Sequence, residues 1–123
     1  MDYWPKAGRN PIAKWYGTQD DEVRAEFDVT VHFLEETEDW ETDEVKEFKQ
    51  LTGEHLGLSE IKLKVGKRKF RLLGIYLPEQ RQFVFLAGLE KSGRVRIPDD
   101  AFEVALEYKR RFEAGEGFTY EHR

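Results

Sequence analysis

The chain contains no cysteine, which removes disulfides, thiolate catalysis and cysteine zinc sites from a protein of 123 residues. Its three histidines, His32, His55 and His122, stand far apart and show no ligand spacing, so a metal site is not expected. No run approaches the roughly eighteen apolar residues that a membrane-spanning helix needs. The opening Met1-Asp2-Tyr3-Trp4-Pro5 also lacks the charged and apolar regions of a signal peptide. The location expected from these absences is the cytoplasm, and nothing in the composition calls for a cofactor.

The chain is rich in charge and in rings. Charged residues make up 37% of it and aromatics 14%, so large packing units compensate for a modest hydrophobic content and a folded chain is expected. The length suits one domain over residues 1–123, with an irregular lead or short edge strand at 1–9 and a frayed tail at 116–123. Charge is unevenly spread. Residues 62–96 hold ten Lys or Arg against only Glu79 and Glu90, whereas residues 1–61 hold sixteen acids against six bases. A net charge of −5 therefore conceals a basic segment in an acidic frame, and an anionic ligand would meet the protein there.

That basic segment reads as three strands. Ile61, Leu63 and Val65 alternate with Lys62 and Lys64, the period-two signature of a half-buried strand. Phe70–Leu77 and Phe83–Gly88 are apolar on both faces, as central strands covered by helices would be. Gly66-Lys67 and Pro78-Glu79-Gln80 supply the turns of an antiparallel meander. Ahead of it, Asn10-Pro11 opens a short helix that ends at Gly17. Thr18 then caps a second helix, whose Val23, Phe27, Val31 and Leu34 form one apolar face. Trp40, Val45, Phe48 and Leu51 keep helical spacing within the acidic run 35–47, which admits a third helix ending near Gly53. After a basic link over 89–97, Pro98-Asp99-Asp100 opens a last helix that Gly115 stops. The expected fold class is α+β, with N-terminal helices on a small antiparallel sheet of three to four strands and a C-terminal helix.

Ile61-Lys62-Leu63-Lys64, Lys69-Phe70-Arg71-Leu72-Leu73, the run from Phe83 to Ser92, and Ile97-Pro98 before an alanine-rich helix together resemble the RelE/HigB-type toxins of bacterial toxin–antitoxin modules and their phage-related relatives. The resemblance covers roughly residues 10–113. It implies a RelE-like fold and an endoribonuclease that cuts mRNA, usually on the ribosome, without a metal. The reaction is attack of a ribose 2′-hydroxyl on the adjacent phosphate, which needs cations for the extra negative charge and groups that accept and donate a proton. By motif position Lys62, Lys64, Arg71 and Lys91 are the implied catalytic residues, with Lys62 or Lys64 as the base. Lys67, Arg68, Lys69, Arg94 and Arg96 are the implied RNA-binding residues. His55, just ahead of the sheet, is a further candidate acid or base without a motif match. The implied partners are mRNA, the ribosome and an antitoxin of helix-turn-helix type.

Blander explanations exist for the same residues. Lys62 and Lys64 suit the outer face of an edge strand, and Lys91, Arg94 and Arg96 suit a flexible link. Two other functions fit the resemblance: a catalytically silent phage or mobile-element protein that binds a protein partner, or a gyrase-directed relative.

Overall fold

A computed structural model describes residues 2–4, 11–37, 47–51, 57–77 and 82–120. The chain runs β1 (Asp2–Trp4), α1 (Pro11–Gly17), α2 (Asp21–Glu36), β2 (Phe48–Gln50), β3 (Ser59–Val65), β4 (Arg68–Leu77), β5 (Gln82–Ser92), β6 (Val95–Ile97), α3 (Ala101–Glu113) and β7 (Phe118–Tyr120). The fold class is α+β. Among the described residues one sheet holds seven strands in the order β2-β3-β4-β5-β1-β7, and β6 pairs with β5 beside that path. Its neighbours are antiparallel except β1 and β5, which run parallel.

β3, β4 and β5 form the expected meander and are the long strands. The turn between β3 and β4 is a two-residue loop, Gly66-Lys67, closed by the Val65–Arg68 pair. Gly66 has φ +60°, the left-handed setting that such a loop requires at its first position. Between β4 and β5 the register slips at Leu73/Gly74, where Leu73 faces Ala87 and Gly74 faces Phe85. The extra residue, Leu86, joins its neighbour Ala87 in the core under α3, so the bulge gives that face two successive residues of β5. The Pro78-Glu79-Gln80 turn lies outside the described residues.

Both sheet faces are covered, but unequally. On one face α1 and α2 lay Ile12, Val23, Phe27 and Leu34 over Ile61, Leu63, Phe70, Leu72, Phe83 and Phe85. The four-residue spacing of Val23 and Phe27 puts both on the buried stripe of α2, and each such side chain contributes about 1.5–3 kcal/mol on burial. On the other face α3 lays Ala101, Phe102 and Ala105 over Leu73, Ile75, Val84, Ala87 and Leu89. α3 ends as expected. Gly115 takes φ +78°, its N–H donates to the Phe112 carbonyl, and the Glu116 N–H reaches back to Arg111. No described helix is long and apolar enough to cross a membrane.

Several expectations are corrected. The sheet has seven strands rather than three or four, because β1, β2, β6 and β7 are three-residue pieces too short to show a period. Phe48–Gln50, expected in a helix, is a strand paired with Ser59–Ile61; the rest of that expected helix, including Trp40, lies mostly outside the described residues. The basic link over 89–97 is the end of β5, a Gly93-Arg94 turn and β6. Phe118–Tyr120, expected in a frayed tail, pairs with β1, which is thereby flanked on both sides instead of lying at an edge. Asp20, not Thr18, caps α2: its carboxylate accepts the Val23 N–H at 3.0 Å, while the Thr18 hydroxyl donates to the Trp15 carbonyl.

Packing over the sheet leaves no room at Gly88. A Cβ there would stand 2.5 Å from the Trp15 indole, which lies across β5. Gly88→Ala is expected to destabilise the fold by about 1–3 kcal/mol through overpacking, read as a lower urea midpoint with an unchanged slope.

Candidate nucleic-acid interface

The register of the strands decides which basic residues meet. Directly paired residues share a sheet face, and each strand alternates. Lys64 pairs with Lys69, Lys69 with Lys91, and Lys91 with Arg96. Four cations from β3, β4, β5 and β6 therefore stand in one row across the sheet, on the face that α3 only partly covers. One step further along the strands, Lys62 pairs with Arg71, which pairs with Leu89 under α3. Like charges placed directly opposite repel. Among the described residues, Lys62, Lys64, Lys69 and Lys91 have no carboxylate within ion-pair distance, so the row is left uncompensated. Lys67 and Arg94 sit in the two-residue turns at the same end of the sheet, both exposed.

A buried acid also stands on this face. Glu60 is one alternation before Lys62 and is only 7% exposed. The Arg71 Nε lies 3.7 Å from its Oε1, and Arg71 also donates from Nη1 to the Phe70 carbonyl at 3.0 Å. That separation makes an ion pair but no hydrogen bond, so among the described residues the buried carboxylate has a cation beside it and lacks a donor. The reading of the sequence missed Glu60. Its only signal was position, two residues before Lys62 on the same strand face.

Not every basic residue joins the row. Arg68, expected to bind RNA, points to the opposite face, where it donates to both oxygens of Glu90 at 3.1 and 3.0 Å, pairs with Asp20 at 2.6 Å and lies over the Phe70 ring. It ties the α2 cap to the β4–β5 pair, and the fork geometry of its guanidinium explains why an arginine stands there. Arg96 is in the row, with its guanidinium 4.4 Å from the centre of the Phe102 ring. Phe102 is buried under it, which leaves this aromatic to the core. His55 lies outside the described residues.

Two outcomes are expected. The N–H of Val23 first, and Arg68 second, hold the Asp20 carboxyl below its ordinary range. A depressed carboxylate stabilises the fold above its unfolded pKa, and that contribution is lost as pH falls through the folded value. Arg68→Ala should therefore raise the Asp20 midpoint in an NMR titration, and its stability deficit at neutral pH should shrink as the solution is acidified through that midpoint. In the row, Lys91 faces a cation on each side, so Lys91→Gln is expected to stabilise the fold by about 0.2–1 kcal/mol, measured by denaturant unfolding at low salt. No protein-family model matches the chain, and neither a curated protein nor a solved structure matches it.

Proposed function

We propose that the protein is a toxin-type endoribonuclease of RelE/HigB character, cutting mRNA at the sheet face that carries Glu60, Lys62 and Arg71. The single observation behind this reading is the uncompensated row Lys64–Lys69–Lys91–Arg96, laid beside a buried carboxylate–guanidinium pair. A row of cations with no anions of its own suits a phosphate backbone, and its affinity should fall with salt. Chemistry then needs a proton acceptor within reach of that backbone. Glu60 fits the role better than Lys62 or Lys64, because a carboxylate oxygen is a proton acceptor by its chemistry whereas a lysine ammonium carries only donors.

In the proposed step, the ribose 2′-hydroxyl gives its proton to Glu60 and its oxygen bonds to the adjacent phosphorus. Arg71 and Lys62 offset the charge that builds on the phosphoryl oxygens. The bond from phosphorus to the 5′-oxygen breaks, and the leaving oxygen takes a proton from the Lys62 ammonium or from water. The products are a 2′,3′-cyclic phosphate and a 5′-hydroxyl end. On the same reading Lys64, Lys69, Lys91 and Arg96 hold flanking phosphates, with Lys67 and Arg94 at the turn ends. The ribosome would present the message, and an antitoxin would restrain the enzyme.

The net charge of −5 favours a second reading, a member of the same fold that binds a partner without cutting RNA. One experiment separates them: purified protein with a short RNA, with and without ribosomes, in EDTA. Cleavage leaving a cyclic phosphate, blocked by a 2′-deoxy substitution at the cut site, is the expected result. Glu60→Gln should lower kcat about 10²–10⁴-fold, whereas Lys69→Gln should raise KM and flatten the salt dependence. Arg71→Lys is the safer partner variant, since Arg71→Ala leaves Glu60 buried and unpaired. Intact RNA under all these conditions, from folded protein, would leave the binding module.

A further inference from the structure

β6 ends the sheet beside the cation row, and its outer edge carries no strand among the described residues. In a two-residue hairpin the residues flanking the loop, here Ser92 and Val95, make the hydrogen-bonded pair, and the next pair does not. The next pair is Lys91 and Arg96, so the Arg96 backbone N–H and C=O point away from β5, towards open solvent. The side chains beside them are unusual for an edge: Val95 is 58% exposed and Ile97 57%, both on the face opposite Arg96. Natural edges are blunted by charge, proline or covering loops. This one is short, carries Arg96 and is followed by Pro98, yet it leaves the outward-facing donor and acceptor of Arg96 beside two bare apolar side chains.

We infer that β6 is a docking edge for an extended segment of a partner protein, which adds as a further strand with apolar residues over Val95 and Ile97 and an Asp or Glu opposite Arg96. Charge selects this occupant. A second copy of the chain pairing antiparallel about Arg96 would place two arginines directly opposite each other at the end of a row already positive across four strands. An acidic residue at the same place instead ends that row with its counter-charge. Main-chain hydrogen bonds supply affinity in such strand addition, and the alternate side chains supply specificity. The inference does not depend on RNA cleavage.

The test uses the full chain and a labelled, end-blocked heptapeptide alternating Val and Glu, with a Val/Lys peptide and a form N-methylated on alternate amides as probes. The Val/Glu peptide should bind at least about tenfold more tightly than the Val/Lys peptide, since like charges across an interface are strongly disfavoured. Its binding should slow hydrogen exchange at the Arg96 amide, and N-methylation should abolish it. The double variant V95E/I97E, altered only at exposed positions and checked for folding by circular dichroism, should lose at least tenfold in affinity. Equal binding of the two peptides, unchanged binding by the double variant, protection elsewhere than β6, or a dimer of the free chain at micromolar concentration would each overturn the inference.

Discussion

A slip of β4 by one residue against its neighbours would carry Arg71 and Lys69 into the core beneath α1 and α2, and Phe70 and Leu72 into solvent. That exchange is what the register forbids, and the rest of the molecule depends on it. Phe70 and Leu72 are fully buried between the helices and the sheet, so a large apolar term fixes which way every neighbouring side chain points. The cation row is a by-product of that choice. Once the apolar residues of β3, β4 and β5 are committed to α1 and α2, the lysines between them have only the other face, where α3 covers one end and leaves the other bare.

Arg68 shows the same constraint working in reverse. It falls on the helix-covered face at the very start of β4, where it stays exposed yet has counter-charges within reach. Glu90 opposite Phe70, the Asp20 cap and the Phe70 ring receive it. Counter-charges from both parts of the chain, Asp20 of the acidic frame and Glu90 of the basic segment, thus serve a cation that does not reach the open face. Nothing comparable reaches Lys64, Lys69 or Lys91 among the described residues, where Arg71 is the cation at ion-pair distance from Glu60 and Lys49 stands opposite it on β2. The two faces of one sheet therefore differ in electrostatic character, one neutralised to anchor helices and one left positive.

Much of this was legible in the residues. Alternation in Ile61–Val65, the apolar runs of β4 and β5, the apolar stripe of α2 and the proline and glycine that bracket α3 each encode a local preference strong enough to be read without contacts. The short strands were not legible, for a physical reason. A three-residue strand has less than two full periods, and it exists because a neighbouring backbone offers hydrogen bonds. Phe48 keeps helical spacing with residues before it, yet pairing with Ile61 and an edge-to-face contact with the Tyr76 ring determine its conformation. Lys91 to Ile97 has the polarity of a loop and is nonetheless mostly paired backbone, because β5 extends far enough to template it.

By itself the sequence determined the α+β class, the three central strands, the helices that cover them and the concentration of positive charge in residues 62–96, since all of these follow from periodicity, capping and composition along the chain. Only the tertiary structure decided that Lys64, Lys69, Lys91 and Arg96 form one row, that Arg68 is spent on the opposite face, that Glu60 is buried beside Arg71, and that Val95 and Ile97 lie bare on an open edge. Those facts are relations between strands distant in sequence. They are set by cross-strand register and by where α3 stops covering the sheet, and neither quantity is a property of any single stretch of residues.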